Sequence, residues 1–274
     1  MTSFDPTSAS RAVLIEVMNV LGAFRDDIVL VGGWVPELLY PDRGHIGSLD
    51  VDLAVSRSAL GESVYQTILN RMLQAGYSLE LSPTRFTKPV AGVEKPVKVD
   101  LIGGQYDGGE KARSIQVKEL ELNTLRGLDL AFEACREISI SGLMPDGNQN
   151  TVRVRIVLPE AYILIKAFAL DERQKEKDAY DIHFVLRSYP PDIEALAAQV
   201  RPLLCKGLAR EGYGILKAKF AALDSLGPSW AARTAAQHGE NYEQWQRSAF
   251  EFAQALFVAI EANAPGEENP DETS

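Results

Sequence analysis

The chain has 274 residues, is 46% hydrophobic and 24% charged, and carries a formal net charge of −10 at pH 7. That is an ordinary globular balance with ample material for a core, and its acidic surplus argues against a protein coated in nucleic acid, which needs a basic face. Its two cysteines, Cys135 and Cys205, form no CxxC or Cys/His cluster, so neither a zinc site nor a disulfide framework is expected.

The N-terminus shows no basic leader followed by an apolar run, and no segment reaches about 18 consecutive apolar residues. The expectation is a cytoplasmic protein with no membrane span. Residues 1–8 read as a loose leader. Ser8 or Ser10 can cap a helix running to about Phe24, with Val13, Val17, Val20 and Leu21 on one side. The apolar strand Ile28–Val31 is broken by Gly32-Gly33. A short helix, Trp34–Tyr40, follows with Pro36 in its first turn, and residues 41–47 form a loop. The strand Asp50–Val55 comes next. An amphipathic helix, Ala59–Gln74, stops near Gly76, and Tyr77–Leu81 reads as a strand. Pro83, Pro89 and Pro96 make residues 82–96 a hairpin or loop. Val97–Ile102 alternates as a strand, with Gly103-Gly104 and Gly108-Gly109 as a flexible exit. Strands are expected at about 136–141 and 152–157, joined by the turn at 145–148. Pro159 opens an almost wholly apolar helix to Leu170, a charged loop spans 171–176, and a second helix runs from Lys177 to Ser188. Helices at about 192–206, 208–223 and 241–262 precede an acidic, polar tail expected to be disordered.

The chemistry gathers around the strand–glycine–helix–strand stretch. Residues i and i+2 of a strand share a face, so Asp50 and Asp52 project side by side while Val51, Leu53 and Val55 enter the core. Two adjacent carboxylates repel unless one is protonated or a cation lies between them. A divalent metal is the usual resolution, and phosphoryl transfer is the chemistry that most often needs one. Backbone amides after Gly32-Gly33 and the start of the helix at Trp34 suit a triphosphate, with Ser48 placed to hydrogen-bond a phosphate oxygen. Mg²⁺ is then the expected metal, on Asp50 and Asp52. Asp100, on an alternating strand, is a third carboxylate that can ligate a metal or take a proton from an incoming hydroxyl. Lys166, inside an apolar helix, is a candidate ammonium for the nucleotide phosphates. Asp178 and Asp181, at i and i+3, share a helix face. His45 reads as a plain loop histidine ahead of a phosphate contact, and Lys88, Lys95, Lys98, Arg153 and Arg155 read as the polar face of strands ahead of an acceptor surface. Trp230, Trp245 and Phe250 read as core or interface aromatics.

Gly32-Gly33, the Asp50-Val51-Asp52 strand and Asp100, in that order, resemble the nucleotidyltransferase superfamily. The later segment, with Lys166, Arg173, Lys177-Asp178 and Asp181, resembles AbiEii-type nucleotidyltransferases, a group that includes the MenT-like toxins of type IV toxin–antitoxin pairs. The resemblance implies an α+β fold: a polymerase beta-like mixed-sheet nucleotidyltransferase domain at 9–157, a helical domain at 158–262, and the tail at 263–274. It implies Mg²⁺-dependent transfer of a nucleoside monophosphate from an NTP, with metal on Asp50, Asp52 and Asp100. Gly32, Gly33, Trp34, Ser48 and Lys166 would bind the nucleotide, and either Asp178 or Asp181 would assist catalysis, Asp178 being favoured. The implied partners are an NTP, a tRNA or protein acceptor, and an antitoxin. Two rival readings stand: transfer to a small molecule such as an aminoglycoside, which the acidic balance suits, and a catalytically silent nucleotide-binding protein of the same fold.

Overall fold

The computed structural model describes residues 4–56, 59, 62–80, 82, 84–104, 114–117 and 120–262. The expected tail and Gly108-Gly109 lie outside them. Helix α1 (Pro6–Val20) is capped not by a serine but by Asp5, whose carboxylate accepts the amide hydrogens of Thr7 and Ser8. Pro6 suits the first turn, where no amide donor is needed, so the helix starts earlier than expected and Phe4 is already buried. Ser10 is also buried, and its hydroxyl accepts from the Trp34 indole at 3.0 Å.

After a 3-10 turn (Gly22–Asp27), strand β1 (Ile28–Val31) is wholly buried. Helix α2 (Trp34–Leu39) and strand β2 (Asp50–Val55) follow. The expected alternation holds in β2: Val51, Leu53 and Val55 are buried, and Asp50 and Asp52 are half-buried. Helix α3 (Glu62–Gln74) ends at Gly76, whose positive φ terminates it. Strand β3 is only Ser78–Leu79.

Of the hairpin and the loop expected at 82–96, the structure takes the hairpin: strand β4 (Arg85–Lys88) is antiparallel to β5 (Val97–Gly104), with Phe86 buried and no proline inside it. Strand β5 runs from Val97 to Gly104 and so takes in Gly103-Gly104, the first half of the expected flexible exit. Gly103-Gly104 pairs with strand β7 (Leu120–Leu125), which pairs in turn with β6 (Ser114–Val117). A Cβ on Gly104 would lie 2.1 Å from an Asp129 carboxylate oxygen, so this glycine serves close approach. A short helix, α4 (Leu130–Glu133), precedes the hairpin of β8 (Cys135–Leu143) and β9 (Gln149–Val157).

The main sheet runs β3-β4-β5-β2-β1-β9-β8, with β7 added at the end of β5. Strand β2 is antiparallel to β1 and parallel to β5. Helix α5 (Pro159–Arg173) continues through the start of the expected charged loop until Gln174, in a left-handed conformation, ends it. Its residues from Pro159 to Leu170 are all buried, which explains an apolar sequence on every side. Helices α6 (Glu176–Ser188), α7 (Ile193–Leu203), α8 (Gly207–Lys219), α9 (Leu226–Gln237) and α10 (Tyr242–Glu261) complete the chain. The sequence reading missed α9, whose first turn holds Gly227 and Pro228. Gly227 there lies against the Phe220 ring, where a side chain would not fit. One contiguous set of buried side chains runs from α1 through the sheet to α10.

Candidate active site

The register of three strands assembles the first half of the site. Asp52 is paired with Val31 on β1 and with Asp100 on β5, and Asp50 lies opposite Lys98. The backbone at Gly32 has φ +72, and a Cβ there would lie 2.0 Å from Asp52 Oδ2. A Cβ on Gly33 would lie 2.7 Å from Ser48 Oγ and 3.0 Å from Lys177 Nζ. The double glycine is therefore a matter of space as well as of turning: it lets the main chain pass directly beside the carboxylate. Tyr162, buried on α5, donates its hydroxyl hydrogen to the Gly32 carbonyl at 3.1 Å and fixes this turn. The Ser48 hydroxyl donates to the Asp50 carbonyl at 3.0 Å.

Asp50 and Asp52 have no hydrogen-bonded or ion-paired side-chain partner among the described residues. Burial and the nearby Asp100 push the Asp52 carboxyl up to about 6, against the pull of Arg173 and Lys166. The same two causes raise Asp50, against Lys98 and Lys175. Asp100 is in a different state. The Arg85 guanidinium, paired with it across β4 and β5, grips it with two hydrogen bonds of 2.7 and 2.9 Å. Among the described residues no group of three or more His, Cys, Asp or Glu is gathered to hold a metal ion. Two unpaired carboxylates facing a cleft nevertheless fit Mg²⁺, which is usually bound by one or two carboxylates together with substrate phosphates and water.

The second half lies on α5 and α6 and is electrostatically closed. Lys166 Nζ donates to Asp178 Oδ1 at 2.7 Å and to Asp181 Oδ2 at 2.8 Å. Arg173 grips Asp178 through two bonds of 2.8 Å, and Lys177 reaches Asp181 at 2.8 Å. His45 Nδ1 accepts the Gly47 amide hydrogen at 3.1 Å, which leaves Nε2 to donate to Asp181 Oδ1 at 3.0 Å. Burial holds the His45 pKa below its ordinary value despite Asp181. Lys166, Asp178 and Asp181 are 4%, 2% and 0% exposed. Burial alone would neutralise them, but the attraction of the opposite charges outweighs it, so Lys166 is raised and both aspartates are lowered.

The two halves face each other across a polar cleft of about 220 Å³. It gathers Gly33, Ser48, Asp50, Asp52, Asp100, Lys166, Asp178 and Asp181 from the expected set, and adds Arg85, Lys98, Arg173, Lys175 and Lys177. A smaller apolar recess beside it is bounded by Gly32, Asp52, Tyr162, Ile165 and Lys166. The Trp34 side chain is not in the cleft; it is buried against α1. His45 is turned to Asp181 and does not line the cleft. Sequence reasoning passed over Arg85 and Lys175, and named Lys177 only as part of the resembling motif. The charged run from Asp171 to Glu176 carried a signal for Lys175, but it reads as a loop. Arg85 is found only from the β4–β5 register.

A mixed sheet with paired carboxylates on a strand behind a glycine turn, covered by helices, defines a class of phosphoryl-transfer protein. The sequence profile described as Nucleotidyltransferase matches residues 10–189, and the chain belongs to that family. It has the α+β nucleotidyltransferase fold with C-terminal helices. Two solved structures are similar. One is a candidate nucleotidyltransferase from H. pylori, with 16% identity, TM-score 0.43, and 93% of this chain and 99% of that one covered. The other is JHP933 from Helicobacter pylori, with 14% identity, TM-score 0.41, and 92% and 94% covered. A comparison with curated proteins gives no match. No helix among the described residues is long and apolar enough to cross a membrane.

Proposed function

We propose that the cleft transfers a nucleoside monophosphate from an NTP to a hydroxyl of an RNA or protein acceptor, releasing pyrophosphate, with Mg²⁺ held by Asp50 and Asp52. The observation that carries this reading is the unpaired state of these two carboxylates beside an open glycine turn. When bound, Mg²⁺ supplies charge neutralisation of the phosphates and of the leaving pyrophosphate. Lys98 and Lys175 have no ion-pair partner among the described residues and line the cleft, so they are the cations free to take phosphate oxygens. Asp100, beside Asp52 in register and oriented by Arg85, takes the proton of the acceptor hydroxyl. The acceptor oxygen forms a bond to the α-phosphorus as the bond to the bridging oxygen breaks.

In this account Lys166, Asp178 and Asp181 are positioning residues. They hold Arg173 and Lys177 at the cleft, and two of the three Lys166 donors are taken up by Asp178 and Asp181. Residues 9–157 supply metal and phosphate binding, and 158–262 supply the facing wall. The similarity of the Lys166–Asp181 segment to AbiEii-type sequences supports a role as the toxin of a toxin–antitoxin or phage-defence pair.

The test is incubation with each labelled NTP, Mg²⁺ and total tRNA or lysate, with Asp50→Ala/Asp52→Ala as control. Label in RNA or protein that the control lacks is the expected result; equal labelling by the control contradicts the metal assignment. Label on an added aminoglycoside would instead favour the small-molecule acceptor, which the net charge of −10 suits.

A further inference from the structure

A second cavity, of about 290 Å³, opens at the opposite ends of the helices that build the cleft. Helix α2 starts beside Gly33 in the cleft and ends at Leu39 and Tyr40 in this cavity. Helix α5 carries Glu160 here and Lys166 there, six residues or about 9 Å along the axis. Helix α6 carries Asp178 and Asp181 in the cleft and delivers Tyr189 here.

Polar groups converge on this cavity without meeting one another. Tyr40 is 9% exposed, and its buried hydroxyl has no hydrogen-bond partner among the described residues. Glu160 is 8% exposed, and among the described residues its carboxylate accepts only from its own backbone amide. Arg136 of β8 is near enough for its charge to act on both, yet among the described residues it forms no ion pair or hydrogen bond. A carboxylate, a guanidinium and a phenol thus share one space, held apart from each other, between the apolar surfaces of Leu39, Leu158 and Pro190. Burial raises Glu160, outweighing the pull of its own backbone amide and of Arg136. Arg136 is exposed and hydrated, but leaving the buried Tyr40 hydroxyl and Glu160 carboxylate without another residue as partner costs free energy that a bound molecule of matching polarity recovers. The volume lies near the lower end, about 300 Å³, of the usual range for ligand cavities. It suits a small metabolite and not a nucleoside triphosphate, whose phosphates Glu160 would also repel.

We propose that this cavity binds a small zwitterion of the α-amino-acid class. Its ammonium group bonds Glu160, its carboxylate bonds Arg136, the Tyr40 hydroxyl bonds one of these ends, and an apolar side chain lies against Leu39 and Leu158. The proposal does not depend on the transferase reading, because binding is measured without turnover.

The test is isothermal titration of the full chain with L-leucine and L-phenylalanine, with phenethylamine and N-acetyl-phenylalanine as single-charge controls. Saturable binding of at least one amino acid is expected, with both controls weaker. Glu160→Gln and Arg136→Gln should each weaken it about 10- to 100-fold, the effect of losing a charge-assisted hydrogen bond. Tyr40→Phe, which keeps the ring and its packing, should weaken it about 2- to 10-fold. The proposal is overturned if neither L-leucine nor L-phenylalanine binds at millimolar concentration, if Glu160→Gln and Arg136→Gln leave binding unchanged, or if phenethylamine binds as tightly as phenylalanine.

Discussion

Two pairs of aspartates face one cleft in opposite electrostatic states. Asp50 and Asp52 sit on one strand with no hydrogen-bonded or ion-paired side-chain partner among the described residues, and burial and Asp100 raise both. Asp178 and Asp181 sit on one helix, are more deeply buried, and are lowered, because Lys166, Arg173, Lys177 and His45 supply hydrogen bonds and opposite charge. The difference shows that burial alone does not decide a carboxylate's role; its partners do. The helical pair is a completed tie between α5 and α6. The strand pair has no such tie, and under the proposed function a cation would supply its opposite charge.

The sharpest way to break this contrast is to remove the strand pair. Asp50→Ala/Asp52→Ala should lower nucleotidyl transfer on the order of 10³-fold or more, about 4 kcal/mol of transition-state stabilisation, while circular dichroism stays native. Comparable activity in the variant would remove the metal site from the account. Removing the tie should act on folding instead. Lys166→Met leaves two buried aspartates short of a cation and should cost roughly 3–5 kcal/mol in urea denaturation. If stability is unchanged and only KM for the nucleotide rises, Lys166 is a phosphate ligand, as the sequence suggested, and the tie is wrong.

The strand pair should show the reverse sign in stability. Because Asp52 is raised from 3.8 to about 6, the fold favours its protonated form. That contribution is present below the unfolded value and is lost as pH rises through about 6. Asp52→Asn should therefore stabilise the ligand-free chain by on the order of 1–3 kcal/mol at about pH 8. The gain should vanish near the unfolded value of 3.8. A thermal-melting series across this range checks both the direction and the window; destabilisation at high pH would contradict it. The smallest effect concerns the free cations. Lys175→Ala should raise KM for the nucleotide about 3- to 10-fold, with stability unchanged within about 0.5 kcal/mol. An unchanged KM would take Lys175 out of phosphate binding.

The two regions also differ in how much the sequence reveals. The strand pair was legible because alternation is local: Val51, Leu53 and Val55 fix the face of Asp50 and Asp52 without reference to any other element. The double glycine was legible as a turn, but not as clearance for Asp52, which needs the β1–β2 register. The shared face of Asp178 and Asp181 was also readable from their spacing. Their saturation was not, because Lys166 comes from another helix and His45 from a loop 136 residues away from Asp181 in sequence. Arg85 was hidden in a proline-flanked segment, and its grip on Asp100 emerges only when β4 pairs with β5. In the fold, α9 was lost because Gly227 and Pro228 resemble loop punctuation, although a first helical turn tolerates both.

The most direct measurement is electron paramagnetic resonance of Mn²⁺, used in place of Mg²⁺, titrated with a non-hydrolysable NTP into the wild-type chain, Asp52→Asn and Asp178→Asn. The account predicts a protein-bound Mn²⁺ signal that needs the nucleotide, is abolished by Asp52→Asn, and persists in folded Asp178→Asn. A bound signal unchanged by Asp52→Asn, or one lost in Asp178→Asn while that variant remains folded, would contradict the assignment of the cation to the strand pair.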